Sequence, residues 1–182
     1  MSRKKIAILV GSLRKESINR KIAKEVIKIA GSDLDMEIVE IGHLEHYNED
    51  IDQGNPPQAW TEFREKIRSA DGVMFYTPEY NRSIPSVLKN AIDIGSRPYG
   101  KNNWSGKPGA VVSVSISALG AFGANHHLRQ CMVFVDVPMM QQPEAYIGNA
   151  KKLFDDNGEL VKDTKEFLEK FVEAYKRWVN RY

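Results

Sequence analysis

Short runs of consecutive apolar residues recur along this chain and predict buried parallel strands. The first run, IAILV at residues 6–10, ends at Gly11. A strand that is covered on both faces lacks polar alternation, and this run lacks it too. Similar segments at residues 36–41, 72–77, 109–115 and 137–142 predict four further strands.

Helical patterns separate these strand-like runs. Apolar residues recur at Ile18, Ile22, Val26 and Ile29, with charged residues between them, and Gly31 closes the pattern. This spacing predicts an amphipathic helix. Comparable patterns predict helices at residues 57–69, 84–94, 121–135 and 164–179, the last one after a tight turn at residues 156–158.

The alternation of strands and helices predicts an α/β fold. Parallel strands need long return connections, and right-handed helical crossovers supply them on both faces of a sheet. We therefore expect a doubly wound sheet of five parallel strands. A length of 182 residues fits a single domain, residues 1–182, whose core needs no disulfide or metal.

Composition narrows the expected partners and location. The chain carries 26 basic and 24 acidic side chains, a net charge of +2, which is too small to hold a nucleic acid by counterion release. Cys131 is the only cysteine, so no intramolecular disulfide can form, as suits a reducing compartment. The apolar run near Met1 is too short for a signal peptide or membrane span. We expect a cytoplasmic protein without membrane association.

The loop after the first strand carries groups that suit a phosphate. In open α/β sheets, ligands bind beyond the carboxyl ends of the strands. Ser12, Ser17 and Asn19 can donate hydrogen bonds there, Arg14 can form a charge-assisted pair, and a helix N-terminus follows. An equally weighted interpretation is that Ser17 only caps the helix and Arg14 is solvated. Glu16 would repel a phosphate, so we expect it to point outward.

Two missing motifs narrow the ligand further. The loop lacks the G-x-G-x-x-G pattern of dinucleotide sites and the G-x-x-x-x-G-K-[ST] pattern of nucleoside triphosphate sites. A monophosphate therefore fits the loop better.

The segment after the third strand, TPEYNRSIPSVLKNAID at residues 77–93, allows a structural interpretation. In it, Pro78 ends the strand, Asn81 and Ser83 cap the next helix, and Pro85 lies in the first turn of that helix. Several positions of this helix are predicted to lie in the core or to hold the helix in place: Leu88, Ala91 and Ile92 in the core, with Lys89 and Asp93 as the charged pair.

Two stretches carry a family resemblance. The pattern P-E-Y-N-x-S-x-P-x-x-L-K-N-A-I-D from Pro78 to Asp93, together with G-S-L-R-x-x-S-x-N from Gly11 to Asn19, resembles the NADPH-dependent FMN reductase family. The likeness is strongest to the branch of the chromate and quinone reductases, and it extends to about Ile147. It implies a flavodoxin-like three-layer α/β/α sandwich whose five-stranded parallel sheet has the order 2-1-3-4-5.

The resemblance also implies a set of FMN-binding residues. The phosphate would lie against the first loop, the isoalloxazine ring against the loop after the third strand, and the ribityl chain and ring edge against the small-residue loop after the fourth. The residues are, in that order, Ser12, Arg14, Ser17, Ile18 and Asn19; Pro78, Glu79, Tyr80 and Asn81; and Ser115, Ser117 and Gly120, where Gly120 makes room for the ring.

The activity that the resemblance implies is reduction of quinone-like acceptors by NADPH or NADH through FMN. Chromate, azo compounds and free flavin are further acceptors of such enzymes. The flavin carries the chemistry, so no catalytic side chain is expected and the donor and acceptor react in turn, a ping-pong mechanism. The family also implies a homodimer or homotetramer.

Two other functions fit the same fold. A flavodoxin-type electron carrier would bind FMN without turning over NAD(P)H, although such carriers are usually acidic and this chain is nearly neutral. A phosphate-binding sensor would be colourless.

Several residues outside these motifs have expected roles. His126 and His127 point in different directions on a helix, so we expect no metal site there. Cys131 is expected to be a buried, inert thiol. Trp60, Trp104 and Tyr99 are equally compatible with core positions and with an oligomer interface. Residues 97–106 are expected to form a loop at the rim of the pocket. Arg82 and Asn125 are expected to mark an altered substrate pocket.

Overall fold

The computed structural model describes residues 3–182, so Met1 and Ser2 of the N-terminal segment lie outside the described residues. Five parallel strands form one sheet in the order β2-β1-β3-β4-β5, as expected. The strands are β1 (Lys4–Val10), β2 (Leu34–Ile38), β3 (Gly72–Thr77), β4 (Gly109–Val114) and β5 (Ala145–Ile147).

Helices cover both faces of this sheet. They are α1 (Ile18–Ala30), α2 (Glu49–Asp52), α3 (Gln58–Ser69), α4 (Ser86–Gly95), α5 (Phe122–Phe134) and α6 (Lys162–Val179), with a short 3-10 helix at Ala150–Lys152. The helices α1 and α6 pack on one face, and α3, α4 and α5 pack on the other. The expected three-layer α/β/α fold is confirmed. None of the helices in residues 3–182 is long and apolar enough to cross a membrane.

The apolar runs of the strands follow from burial on both faces. In β3, Val73 and Phe75 point toward the layer of α3, α4 and α5, whereas Met74 and Tyr76 point toward α1 and α6. Every position of β3 is buried. An alternating pattern would place polar groups in one of the two cores.

The predicted fifth strand at residues 137–142 is wrong, because β5 begins only at Ala145. Val137, Met139 and Met140 are buried, but they run past the start of β4 as irregular chain. Within residues 3–182, its pairing with the sheet is a single bridge at Gly109, which accepts from Met140 N–H at 2.8 Å and donates to the Pro138 carbonyl at 2.9 Å. The apolar run at residues 137–142 therefore indicates a buried segment, but this segment is not a strand.

The predicted caps are only partly confirmed. Ser17 caps α1, since its hydroxyl accepts from Arg20 N–H at 3.2 Å, and Gly31 ends that helix with a positive φ of 56°. In contrast, Asn81 and Ser83 do not cap α4, which begins at Ser86 after Pro85 without a side-chain cap. The chain from residue 80 to residue 83 forms a separate turn instead.

The loop at residues 97–106 does not border the pocket, contrary to expectation. It connects α4 to β4, and a helix that returns antiparallel to the strands delivers the chain to their amino ends. Accordingly, Asn103 accepts from Arg68 at the end of α3, just before β3. Trp104 and Trp60 are fully buried core residues, whereas Tyr99 is 91% exposed.

A buried ion pair holds the long connection between β2 and α3. The Arg64 guanidinium on α3 donates to both carboxylate oxygens of Asp52 on α2, at 2.7 and 2.8 Å, and its Nε donates to the Ile94 carbonyl at 2.9 Å. The sequence reasoning missed α2, because four residues are too few to show a helical period.

Candidate functional site

Three loops meet in one cleft at the carboxyl edge of the sheet. They follow β1, β3 and β4, and Gly11 N–H at the end of β1 donates to the Tyr76 carbonyl of β3 at 2.8 Å. The cleft has a volume of about 190 Å³. Nine predicted residues line it: Ser12, Arg14, Ser17, Ile18, Asn19, Pro78, Glu79, Tyr80 and Ser115.

Size alone does not single out this cleft, because the groove between α4 and α5 has a larger volume, about 500 Å³. What distinguishes the carboxyl-edge cleft is the convergence of polar groups from separate loops, which is the mark of a binding site. It also lies where open α/β sheets bind ligands.

One end of the cleft is formed by the N-terminus of α1. The first-turn N–H groups of Ile18 and Asn19 have no acceptor within the helix, and the helix dipole makes this end positive. Ser12 and Ser17 are buried beside it. The Arg14 side chain is exposed and forms no ion pair within residues 3–182. Glu16 is exposed and pairs with Lys21 at 3.0 Å, so it points outward as expected.

Asn19 links the N-terminus of α1 to β4, and one polar atom of its side chain has no hydrogen-bond partner within residues 3–182. Its Nδ2 donates to the Val114 carbonyl at 3.3 Å. Its Oδ1 is buried and has no hydrogen-bond partner in the described part of the chain. A buried acceptor without a partner is costly, so the site suits a ligand that brings a hydroxyl donor. The ribityl chain of FMN carries such donors.

The turn after β3 is fixed in place by α5. Tyr80 and Ser83 exchange two backbone hydrogen bonds of 2.9 and 3.0 Å, and Asn81 and Arg82 between them have positive φ angles of 51° and 67°. This is the geometry of a type I′ turn. Tyr80, at the edge of the cleft, is 50% exposed. Asn81 lies at the exposed tip of the turn and does not line the cleft.

Two side chains attach this turn to α5. The Glu79 carboxylate accepts from Ala124 N–H in the first turn of α5 at 3.0 Å. No side chain of α5 provides a cap, so Glu79 caps this helix from outside and its charge complements the helix dipole. The Ser83 hydroxyl bonds to His127 Nδ1 at 2.8 Å. These two contacts fix the position of the loop after β3 relative to α5.

The loop after β4 differs from its expected role. Ser115 lines the cleft, and its hydroxyl bonds to that of Ser117 at 3.0 Å, but Ser117 itself is exposed outside the lining. Gly120 packs closely against the neighbouring strand. A Cβ at Gly120 would lie 2.5 Å from the Tyr146 carbonyl carbon, so the glycine makes room for the backbone of β5.

Asn125 is not a pocket residue, contrary to expectation. It is fully buried, its Nδ2 donates to the Ser113 hydroxyl at 3.1 Å, and its Oδ1 accepts from Arg129 Nε at 3.1 Å. It thus joins α5 to β4 inside the core. Arg82, which was also expected to mark an altered substrate pocket, is exposed on the turn beside the cleft.

His126 and His127 have separate partners, as their helical spacing requires. His126 Nε2 bonds to the Tyr146 hydroxyl at 3.0 Å, whereas His127 bonds to Ser83. Burial and a hydrogen bond to Glu144 raise the pKa of Tyr146 to about 12. No group of three or more metal-binding side chains occurs within residues 3–182.

The thiol of Cys131 is half-buried rather than fully buried, and burial raises its pKa. A raised pKa disfavours the reactive thiolate, which agrees with the expected inert thiol.

Sequence reasoning missed three residues of the cleft: Val114, Ile116 and Ala150. Val114 and Ile116 alternate with Ser115 on the chain leaving β4, so they could have been found with it. Ala150 follows β5, and it was missed because the fifth strand was predicted too early.

Comparison with known proteins gives the family. Residues 4–152 match the family model described as NADPH-dependent FMN reductase. The chain is 59% identical over 174 residues to a quinone reductase from Pseudomonas putida, covering 96% of this chain and 94% of that protein. It is 44% identical over 176 residues to the 2-hydroxy-1,4-benzoquinone reductase of a Burkholderia species, covering 96% of each.

A solved structure supports the same assignment. FerB from Paracoccus denitrificans, described as a flavoenzyme NAD(P)H:(acceptor) oxidoreductase, matches with a TM-score of 0.92 and 40% identity over 98% of each chain. Because the family match spans most of the chain and these relatives cover nearly all of it, the chain belongs to the NADPH-dependent FMN reductase family and is an NAD(P)H-dependent oxidoreductase that uses FMN.

Proposed function

We propose that this enzyme reduces quinones with electrons from NAD(P)H and holds FMN in the cleft at the carboxyl edge of the sheet. One observation carries the proposal: a helix N-terminus, buried hydroxyl and amide groups and a rigid turn converge in that cleft. The similarity to two reductases named for quinones supports the acceptor class.

The loop after β1 binds the FMN phosphate in this proposal. The free N–H groups at the start of α1 and the hydroxyls of Ser12 and Ser17 donate to the phosphate oxygens, and Arg14 adds a charge-assisted bond. The unpaired Oδ1 of Asn19 accepts from a ribityl hydroxyl. The orphaned groups at this end of the cleft thereby gain partners.

The loops after β3 and β4 bind the rest of the cofactor. Pro78, Glu79 and Tyr80 border the ring, with Glu79 acting through its backbone because α5 already engages its carboxylate. Asn81 holds the turn in its left-handed conformation. On the other side Ser115 contacts the ribityl chain, and Ser117 orients the Ser115 hydroxyl.

Bound FMN would supply two-electron redox chemistry: the reduced nicotinamide would donate a hydride, and the quinone would take up the two electrons with two protons, one of them from water. The protein orients the ring, covers one of its faces and places hydrogen-bond donors at its edge. The donor and the acceptor would both have to reach the one face of the ring that the protein leaves uncovered. We therefore propose that they bind in turn, and that the open cleft also admits chromate, azo compounds and free flavin.

Initial-rate kinetics test this proposal. NADPH oxidation is followed while menadione is varied at several fixed NADPH concentrations, with azo dye, chromate and free FMN as further acceptors. We expect quinone turnover and parallel double-reciprocal lines. Intersecting lines would contradict alternating binding, and absence of quinone turnover by FMN-loaded protein would contradict the quinone assignment and favour an electron carrier.

We also propose that the chain forms a homodimer or homotetramer. The end of α5 presents Val133 and Phe134, which are 80% and 82% exposed. Neighbouring exposed apolar side chains of this kind are typical of association surfaces. Light scattering is expected to give two or four times the mass of one chain, and a monomer at micromolar concentration would contradict this proposal.

A further inference from the structure

Arg82 adopts a left-handed backbone conformation that is unfavourable for a residue with a long side chain. Its φ is 67°, at the second central position of the turn between Tyr80 and Ser83. Type I′ turns favour glycine and asparagine at such positions, because a side chain with a Cβ is crowded there. Local strain of this kind, next to a binding cleft, indicates a functional reason for the side chain.

The guanidinium of Arg82 is available to a ligand. Its side chain is 79% exposed, and its ion-pair contact within residues 3–182 is Glu79, whose Oε1 lies 3.5 Å from Nη1. That separation exceeds the usual length of a charge-assisted hydrogen bond. The other oxygen of Glu79 accepts from Ala124 N–H, so the carboxylate is held by α5 and does not need Arg82.

The charged residues around the cleft indicate which kind of ligand the Arg82 guanidinium can bind. The charged residues that line the cleft are Arg14, which the proposed function assigns to the FMN phosphate, and Glu79. A reduced nicotinamide dinucleotide brings a pyrophosphate, and NADPH brings a further phosphate on its adenosine ribose. An arginine on the loop that borders the ring supplies the planar donor set that phosphate oxygens prefer.

We propose that Arg82 binds a phosphate group of the dinucleotide donor and thereby sets the affinity of the enzyme for NAD(P)H. This inference rests on the proposed function, because it requires the donor to approach FMN across the turn after β3. The phosphate is either the adenosine phosphate that NADPH alone carries or the pyrophosphate common to NADPH and NADH.

The test replaces the cation without disturbing the turn. Arg82→Asn removes the charge and keeps a residue that tolerates positive φ, whereas Arg82→Lys keeps the charge without the planar donor set. Arg177→Asn is the matched control, since Arg177 is exposed on α6. The α6 helix ends at the amino edge of the sheet, where Trp178 donates to the Pro138 carbonyl.

For each variant, KM and kcat are measured with NADPH and with NADH, and the binding of NADP⁺ and NAD⁺ is measured by calorimetry. We expect Arg82→Asn to raise the KM for the donor and the Kd of its oxidised form about tenfold, with little change in kcat or in the KM for quinone. Arg82→Lys should lie between wild type and Arg82→Asn, and Arg177→Asn should match the wild type.

The two dinucleotides separate the two phosphate sources. A loss confined to NADPH and NADP⁺ identifies the adenosine phosphate, whereas an equal loss with NADH and NAD⁺ identifies the pyrophosphate. Unchanged KM and Kd values for all four dinucleotides would overturn the inference, as would a change confined to the KM for quinone. Failure of the proposed function is distinct, because wild-type protein would then show no quinone turnover with either donor.

Discussion

At the scale of single residues, the cleft combines groups that already have partners with groups that lack them. Ser17 caps α1 and Glu79 caps α5, so both stabilise the fold while lining the cleft. The Oδ1 of Asn19 and the guanidinium of Arg14 have no partner of this kind within residues 3–182. These two groups are the ones expected to contribute most to cofactor affinity, because a ligand can pair with a buried acceptor that lacks a partner and with a cation that has no ion pair.

Arg14 gives the residue-scale prediction. Arg14→Ala is expected to weaken FMN binding about ten- to a hundredfold, because a charge-assisted hydrogen bond contributes about 1.5–3 kcal/mol. Fluorescence titration of the apoprotein with FMN measures the change.

Lys15→Ala is the matched control for Arg14→Ala. Lys15 is exposed on the same loop and carries the same charge, but it does not line the cleft. Its loss should change FMN affinity much less. Equal effects of the two substitutions would mean that the loop acts only through its overall charge and would contradict the direct contact.

At the scale of elements, loops at the carboxyl edge depend on close packing between strands. Gly120 follows β4 with a φ of 58°, and the Tyr146–Ile147 backbone of β5 occupies the space where its Cβ would lie. Gly106 also has a positive φ, 74°, but has nothing within 4 Å of its Cβ position. A comparison of alanine substitutions at Gly120 and Gly106 therefore separates the cost of backbone strain from the cost of a steric clash with β5.

Gly120→Ala is accordingly expected to destabilise the protein more than Gly106→Ala. Strain from positive φ costs about 1 kcal/mol in both variants. Displacement of β5 adds about 1–3 kcal/mol for Gly120→Ala alone. Urea unfolding monitored by circular dichroism measures both values. Equal destabilisation by the two substitutions would show that a Cβ at Gly120 does not clash with the β5 backbone.

The positions of the elements show how far sequence reasoning reaches. Hydrophobic periodicity predicted four strands and five helices close to their observed bounds, because each is a regular element with one or two buried faces. It failed at β5, where Val137, Met139 and Met140 are buried without pairing as a strand. Periodicity reports burial, and strand pairing additionally depends on where the neighbouring strand lies.

The candidate site shows the same limit. The predicted residues of the loop after β1, and Pro78 to Tyr80 after β3, line one cleft, because a strand end fixes where the next side chains lie, whereas Asn81 lies outside its lining. Gly120 and Asn125 lie several residues beyond β4, and their contacts with β5 and with the core could not be read from spacing.

At the scale of the whole molecule, the cleft is a consequence of the strand order. β1 lies between β2 and β3, so the chain leaves β1 in one direction along the sheet and leaves β3 in the other. Right-handed crossovers then place α1 and α4 on opposite faces. Their separation opens a crevice at the carboxyl ends of β1 and β3, where ligands of such sheets bind. Periodicity predicted the parallel sheet, but only the family resemblance predicted its order.

The most direct test of this account is titration of the apoprotein with FMN and with riboflavin, which has the same ring and ribityl chain without the phosphate. If the loop after β1 and the start of α1 bind that phosphate, one FMN binds per chain and riboflavin binds at least about tenfold more weakly. Equal affinity for the two compounds, or no binding of FMN, would contradict the account.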